Sequence, residues 1–283
     1  MNVMQIARTQ SELNQALQKF RSQKKRIGFI PTMGGLHAGH LSLVRQAKKQ
    51  TQAAVVSIFV NPTQFGPHED FKKYPRRERQ DLRLLKSVKT DVVFIPSVKE
   101  IYPKKKIAFI QPGHFAQGLC GAKRQGHFRG VVTVVHRLFE MVKPNAAFFG
   151  QKDFQQFKVI EDLVRRKKLK IKLAMCPIIR EADGLAMSSR NQYLSKQDRL
   201  RAKQLFVTLT LADKAIRLGW RQTSELQLML KAYLSCFVDQ IDYVAIVDPE
   251  RLKAVRTVKK TVLVALAAFI GNTRLIDNLV IQV

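Results

Sequence analysis

Apolar runs of strand length alternate with longer segments of helical period through the first two thirds of the chain, and that alternation narrows the fold more than any other feature. The runs RIGFI (26–30), AAVVSIFV (53–60), DVVFI (91–95), AAFFG (146–150) and IKLAMC (171–176) read as strands. Helices are expected between them, near 11–23, 39–49, 75–88, 130–142 and 154–168. Strands joined through helices build parallel βαβ units, so the class is α/β with a parallel sheet. After Pro177 the texture changes to a loop, READGLAMSSRNQ, two long helices from about Ser195, and late strands IDYVAIVD and VLVALAAFIG. Ser195 and Asp198 have the spacing of a capping box. A boundary near Ile178 divides the chain into domains 1–177 and 178–283, the second smaller and α+β.

At 283 residues the chain needs no staple, because a domain of this size buries about 75% of its unfolded surface. Its three cysteines, Cys120, Cys176 and Cys236, are far apart and odd in number, which argues against a disulfide framework and for a reducing cytoplasm. No signal peptide and no membrane segment are expected. The charge is unusual: 50 Lys+Arg against 21 Asp+Glu, a formal +29. The basic runs RSQKKR, YPKKKI and VRRKKLKIK are dispersed and lack the interleaved aromatics that stack bases. Nucleic acid is therefore not the expected ligand. A solvated basic exterior or attraction of anionic small substrates remains.

The stretch PTMGGLHAGHLSLV (31–44) follows the first of these strands with a Gly-rich turn and opens a helix. Such a turn lets backbone approach a ligand, and the helix start offers N–H groups and the positive end of a dipole. That is an anion site. His37 and His40 are spaced to share one side of the first helical turn, where both imidazoles can donate to phosphate oxygens. The alternative is that one histidine caps the turn while the other packs. Neither a G-x-x-x-x-G-K-[ST] phosphate loop nor a G-x-G-x-x-G dinucleotide turn occurs in the chain.

Three further stretches should gather at the carboxyl edge of the sheet, where open α/β folds bind ligands. After the second strand lies VNPTQFGPHEDFKKYPR, whose Asn61 and Gln64 are amides able to orient substrate groups without giving up a proton. FFGQKDFQQ carries Gly150, Lys152, Asp153 and Gln156, the lysine being a point charge for a phosphate. DGLAMSSRN offers Met187, Ser188, Ser189 and Arg190, hydroxyls and a guanidinium suited to a triphosphate. Each stretch taken singly also reads as an ordinary loop or surface pair.

PTMGGLHAGHLSLV, VSIFVNPTQFGPHEDFKKYPR, GHFRGVVTVVHRLF, FFGQKDFQQ, DGLAMSSRNQYL and the terminal RLIDN together closely resemble the pantothenate synthetase (pantoate–β-alanine ligase) family, over almost the whole chain from Ile27 to Asn278. The resemblance implies a Rossmann-like parallel sheet with helices on both faces, a smaller C-terminal domain that closes over the site, and a cytoplasmic homodimer. It implies ATP, Mg2+, pantoate and β-alanine as reactants. By matching residue, Met33, Gly34, Gly35, Leu36, His37, Ala38, Gly39 and His40 would contact ATP, with His40 the proton donor. Gly150, Gln151, Lys152, Asp153 and Ile179 would add ATP contacts, as would Met187, Ser188, Ser189 and Arg190. Gln64 would touch both pantoate and β-alanine, and Gln156 pantoate. The ligands of the metal are unknown, with Asp81 the one carboxylate considered. Gln125 stands where the family often has a turn-fixing proline, which is expected to loosen the approach of His127.

The mechanism so implied has two steps, attack of the pantoate carboxylate on the α-phosphorus of ATP and capture of the pantoyl adenylate by the β-alanine amine. Since such an anhydride hydrolyses readily, the loop 181–191 is expected to be a mobile lid. Two other readings stay open: a different adenylate-forming nucleotidyltransferase with the same His-x-Gly-His site, and a nucleic-acid-binding protein on this scaffold.

Overall fold

A computed structural model describes residues 3–67, 69–103 and 107–283. Lys104 to Lys106 of the basic run YPKKKI, and His68, lie outside the described residues. The chain divides into two compact units: Met1–Ala116, Arg124–Gly150 and Gln156–Pro177 form the first, and Gln117–Lys123, Gln151–Gln155 and Ile178–Val283 the second.

The first unit is built on β1 (Gln5–Ala7), α1 (Gln10–Ser22), β2 (Ile27–Thr32), α2 (Ala38–Gln50), β3 (Ala53–Ile58), α3 (Glu78–Ser87), β4 (Val92–Phe94) and the short α4 (Val98–Ile101). After the short α5 (Leu119–Lys123), which belongs to the second unit, come α6 (His127–Val142), β5 (Ala146–Gly150), α7 (Phe154–Arg166) and β6 (Lys172–Cys176). Six parallel strands lie in the order β1-β4-β3-β2-β5-β6. Strands buried on both faces read as unbroken apolar runs, which is why β2, β3, β4 and β5 were visible in sequence; β6, at the sheet edge, is only partly buried. Ile30, Val56, Val93 and Phe148 pack with Leu41, Val44 and Ala47 of α2 and Leu85 of α3. Alternation sends Phe29 to the other face, where its ring meets Phe139 of α6 edge-on. Helices therefore cover both faces, the Rossmann-like arrangement. Chain order steps from β2 through β3 to β4, then crosses back to β5 on the far side of β2. Ligands of open sheets sit at such a switch point, outside the carboxyl ends of the strands.

The second unit has α8 (Lys196–Ala202), α9 (Gln204–Arg217), α10 (Thr223–Ser235) and an antiparallel sheet β7-β8-β9, with β7 (Gln240–Val247), β8 (Thr261–Ile270) and β9 (Thr273–Gln282). Leu205, Leu209, Ile216, Leu226, Leu230 and Leu234 of the helices pack on Val264, Leu266 and Ala268 of β8. Ser195 caps α8, its Oγ accepting from Asp198 N at 3.0 Å and donating to Asp198 Oδ2 at 2.8 Å. The expected pair of long helices is three helices, and the two late strands are three. Among the described residues no helix is long and apolar enough to cross a membrane.

Candidate active site

The turn from β2 into α2 is held by backbone geometry and one buried carboxylate. Gly34 and Gly35 have φ of 81° and 61°, the left-handed region open to glycine. Asp81, on α3 and 1% exposed, accepts Gly35 N at 3.0 Å on Oδ2 and Leu36 N at 2.8 Å on Oδ1. Burial pushes the Asp81 carboxyl above its ordinary value against the pull of those two amides. With both oxygens engaged by backbone, Asp81 is a clamp for the turn.

His37 is the N-cap of α2: its Nδ1 accepts from Gly39 N at 3.2 Å, while His37 N donates to His40 Nδ1 at 3.3 Å. The two residues thus form a reciprocal capping box with imidazoles in the places usually taken by Ser and Glu. The rings lie 4.1 Å apart. A nitrogen that accepts a hydrogen bond carries no proton, so each neutral imidazole has its hydrogen on Nε2. The capping posed in sequence as the alternative is present at both residues and occupies Nδ1 of each ring.

Gln64 closes the 3₁₀ turn Pro62–Gln64 after β3 and is buried. Asn61 Nδ2 donates to Gln64 Oε1 at 3.1 Å, and Gln64 Nε2 donates to Met33 Sδ at 3.3 Å. This brings the Gln64 amide beside the first residue of the Met33–His40 segment. Tyr102 Oη donates to Asn61 Oδ1 at 2.9 Å, fixing which way Asn61 points. Behind the turn runs α6, where a Cβ on Gly130 would fall inside contact distance of the Thr63 carbonyl and 2.7 Å from Gln64 Cα. Arg124 binds Glu69 through Nε at 2.7 Å and Nη2 at 2.6 Å and reaches His127 Nε2 with Nη1 at 3.0 Å. The arginine must donate there, so His127 carries its proton on Nδ1 and gives it to Gln64 O at 2.8 Å. Burial pushes Glu69 up, but Arg124 outweighs it and holds the carboxyl down at about 2. His127 is thus fixed at both nitrogens, and the loosening expected from Gln125 is absent. Gly150 ends β5, next to β2 in the sheet, and Gln156 lies half-buried in the first turn of α7.

The second unit carries the other expected ATP residues. Gln151–Asp153 is a 3₁₀ turn that includes Lys152. Ile179 and Met187 are joined at the base of a short hairpin, Met187 N donating to Ile179 O at 3.0 Å, with Arg180 bridged to Ala186 and Glu181 N donating to Leu185 O at 2.9 Å. Ser188 caps the next 3₁₀ turn, its Oγ accepting from Arg190 N at 3.2 Å. The expected mobile lid is tied down within its own unit. Arg199 pairs with Glu181 and with Asp183 (3.2 Å), and the buried Asn191 donates to Glu181 Oε1 at 2.7 Å and Ala186 O at 3.1 Å. Two residues on β9, Asp277 and Asn278, also reach these segments: Asn278 Nδ2 donates to Gln151 O at 3.0 Å and Lys152 O at 2.9 Å. Sequence reading gave neither a role, although both lie in RLIDN, one of the stretches that carry the resemblance.

Part of the positive excess is structural. Arg165 Nη2 and Arg166 Nε sit 2.6 and 2.7 Å from the two oxygens of Asp162, itself 2% exposed. Those two charges neutralise a buried acid while remaining exposed themselves, Arg165 at 71% and Arg166 at 37%.

A family model described as pantoate-beta-alanine ligase matches residues 5–280. The chain is 47% identical over 279 residues to a pantothenate synthetase of Fervidobacterium nodosum, covering 99% of this chain and 100% of the relative. It is 49% identical over 279 residues to one of Herpetosiphon aurantiacus, covering 98% and 100%. A crystal structure of pantothenate synthetase from Thermus thermophilus superposes with a TM-score of 0.92 at 39% identity, covering 98% of this chain and 99% of that one. The Francisella tularensis pantoate-beta-alanine ligase, crystallised with a beta-gamma ATP and beta-alanine, gives 0.81 at 35% identity, covering 98% and 97%. With a match of this length to the family model and relatives near half identical along their whole length, the chain belongs to the pantoate–β-alanine ligase family.

Proposed function

We infer that the chain joins pantoate to β-alanine at the expense of ATP, through a pantoyl adenylate, and releases AMP and pyrophosphate. The observation that carries this reading is the histidine pair at the start of α2, with both Nδ1 atoms spent on backbone and both protons on Nε2. In the first step a pantoate carboxylate oxygen attacks the α-phosphorus in line, and pyrophosphate leaves with the electrons of the broken P–O bond. Charge builds on the phosphate oxygens, where fixed N–H donors act most strongly. His40, His37 and the α2 amino end are proposed to supply those donors, with the ammonium of Lys152 and the guanidinium of Arg190 on the departing phosphates. In the second step the β-alanine amine attacks the acyl carbon, AMP leaves, and the amine gives up a proton. No protein nucleophile is required.

Mg2+ is included in the proposal as the ion that ATP carries. Among the described residues no group of three His, Cys, Asp or Glu converges on a point. When bound the ion supplies charge neutralisation on the triphosphate, with Asp153, exposed beside Lys152, the carboxylate at hand. A cytoplasmic homodimer completes the reading, supported by the family resemblance and by three free cysteines.

One coupled assay tests the whole: AMP should form only when pantoate, β-alanine and ATP are all present. Pyrophosphate exchange that proceeds without pantoate would instead favour a different adenylate-forming activity. Gln64 gives a finer check. Asn61 occupies its Oε1, so the amide is proposed to present Nε2–H to pantoate and then to the incoming β-alanine carboxylate. Gln64→Ala should lower kcat/KM about 10- to 100-fold in both half-reactions through lost positioning. A loss confined to the β-alanine step would remove Gln64 from pantoate binding.

A further inference from the structure

Asp277 and Asn278 take no part in the reaction just derived, yet they are 2% and 3% exposed. A buried amide and a buried carboxylate persist where hydrogen bonds satisfy them. Asn278 uses both amide hydrogens on consecutive carbonyls, Gln151 O at 3.0 Å and Lys152 O at 2.9 Å, and its Oδ1 accepts from Gln151 Nε2 at 3.4 Å. Asp277 takes the fork of Arg180, Nη1 to Oδ2 at 2.6 Å and Nη2 to Oδ1 at 3.0 Å, and its Oδ1 also accepts from Asn278 N at 2.8 Å. Arg180 in turn donates to Gly184 O at 3.0 Å and lies 3.9 Å over the Phe206 ring, which fixes the hairpin that leads to Ser188–Arg190. Successive side chains of a strand point to opposite sides. Two neighbours on β9 can therefore hold two separate segments, one each.

Only a residue with two donors on one nitrogen can hold both carbonyls of the lysine turn. A carboxylate at 278 would set like charge against them, and an apolar residue would leave them unpaired. We propose that Asp277 and Asn278 are positioning residues that lock the Lys152 turn and the hairpin leading to Ser188–Arg190 into one element for binding the ATP phosphates. The proposal rests on the reading of Lys152 and Arg190 as phosphate contacts.

The test is a cycle of Asn278→Ala, Asn278→Asp, Lys152→Ala and the Lys152→Ala/Asn278→Ala double variant, with kcat, the KM of ATP, the KM of pantoate and the Tm measured for each. Asn278→Asp should raise the KM of ATP about 10- to 100-fold, leaving the KM of pantoate within about threefold. If Asn278 acts through Lys152, the double variant should be no worse than Lys152→Ala alone. Independent, multiplying losses, or an equal rise in both KM values, overturn the proposal. So does failure of both Asn278 variants to show a folding transition, since that would make the residue a determinant of the fold alone. Failure of the underlying reading looks different: the unmodified protein forms no AMP from pantoate, or Lys152→Ala keeps its KM for ATP.

Discussion

His40→Ala should slow pantoate-dependent pyrophosphate exchange by about 10² to 10³-fold, the usual loss when one preorganised donor to developing charge is removed. The same substitution deletes the Nδ1 that accepts His37 N. That half of the capping box is worth about 0.5–2 kcal/mol, while His37 still caps Gly39 from its own Nδ1. The fold should therefore survive with a Tm lower by a few degrees. Rate and stability separate cleanly in this variant. Exchange within a few-fold of the parent would take the imidazole out of the chemistry.

Asp81→Ala should be the most damaging single change in the first unit at a residue that is not itself a proposed substrate contact. It strands Gly35 N and Leu36 N, two amides whose acceptors are the carboxylate oxygens. Each such donor left unpaired costs about 1–3 kcal/mol, so together they should destabilise by about 2–6 kcal/mol. At about 2–4 °C per kcal/mol for a chain of this order of length, the Tm should drop by roughly 4–24 °C. Turnover measured well below that Tm should still be about 10²-fold down, because the Gly34–Leu36 turn would no longer hold its place before α2. Asp81→Asn, which keeps one acceptor, should fall between. An unfolding curve for Asp81→Ala that overlays the parent would deny the carboxylate its clamping role.

The strands legible in sequence were those with long apolar runs, most of them sealed on both faces. β2, β3 and β5 are near-continuous apolar runs, whereas β1 is three residues, QIA, with two of them exposed on the sheet edge. Only its pairing with β4 makes it a strand. β9 was hidden for another reason: Arg274, Asp277 and Asn278 interrupt its apolar pattern, and the partners that make them tolerable lie elsewhere in the chain. Helix starts shifted where the cap was not local chemistry. α6 begins at His127 behind a left-handed Gly126, and α3 at Glu78 rather than at Pro75.

The site divides along the same line. His37 and His40 were readable because strand, glycines and helix start are contiguous. What holds that motif, Asp81, acts across 45 and 46 residues, and Asn278 reaches Lys152 and Gln151 across 126 and 127. Single-sequence periodicity carries no information at that range.

The seat of the Gln64 turn on Gly130 can be put in terms of stiffness. Where a side chain separates two segments, one can yield to the other by a change of rotamer at little cost. Between Gly130 and the Thr63–Gln64 backbone there is no such spacer, and a sixteen-residue helix backs the contact. The turn can give way there only by carrying the helix with it. A group pressing on Gln64 would meet a wall rather than a spring, so a neutral amide with no charge to aim it keeps one direction.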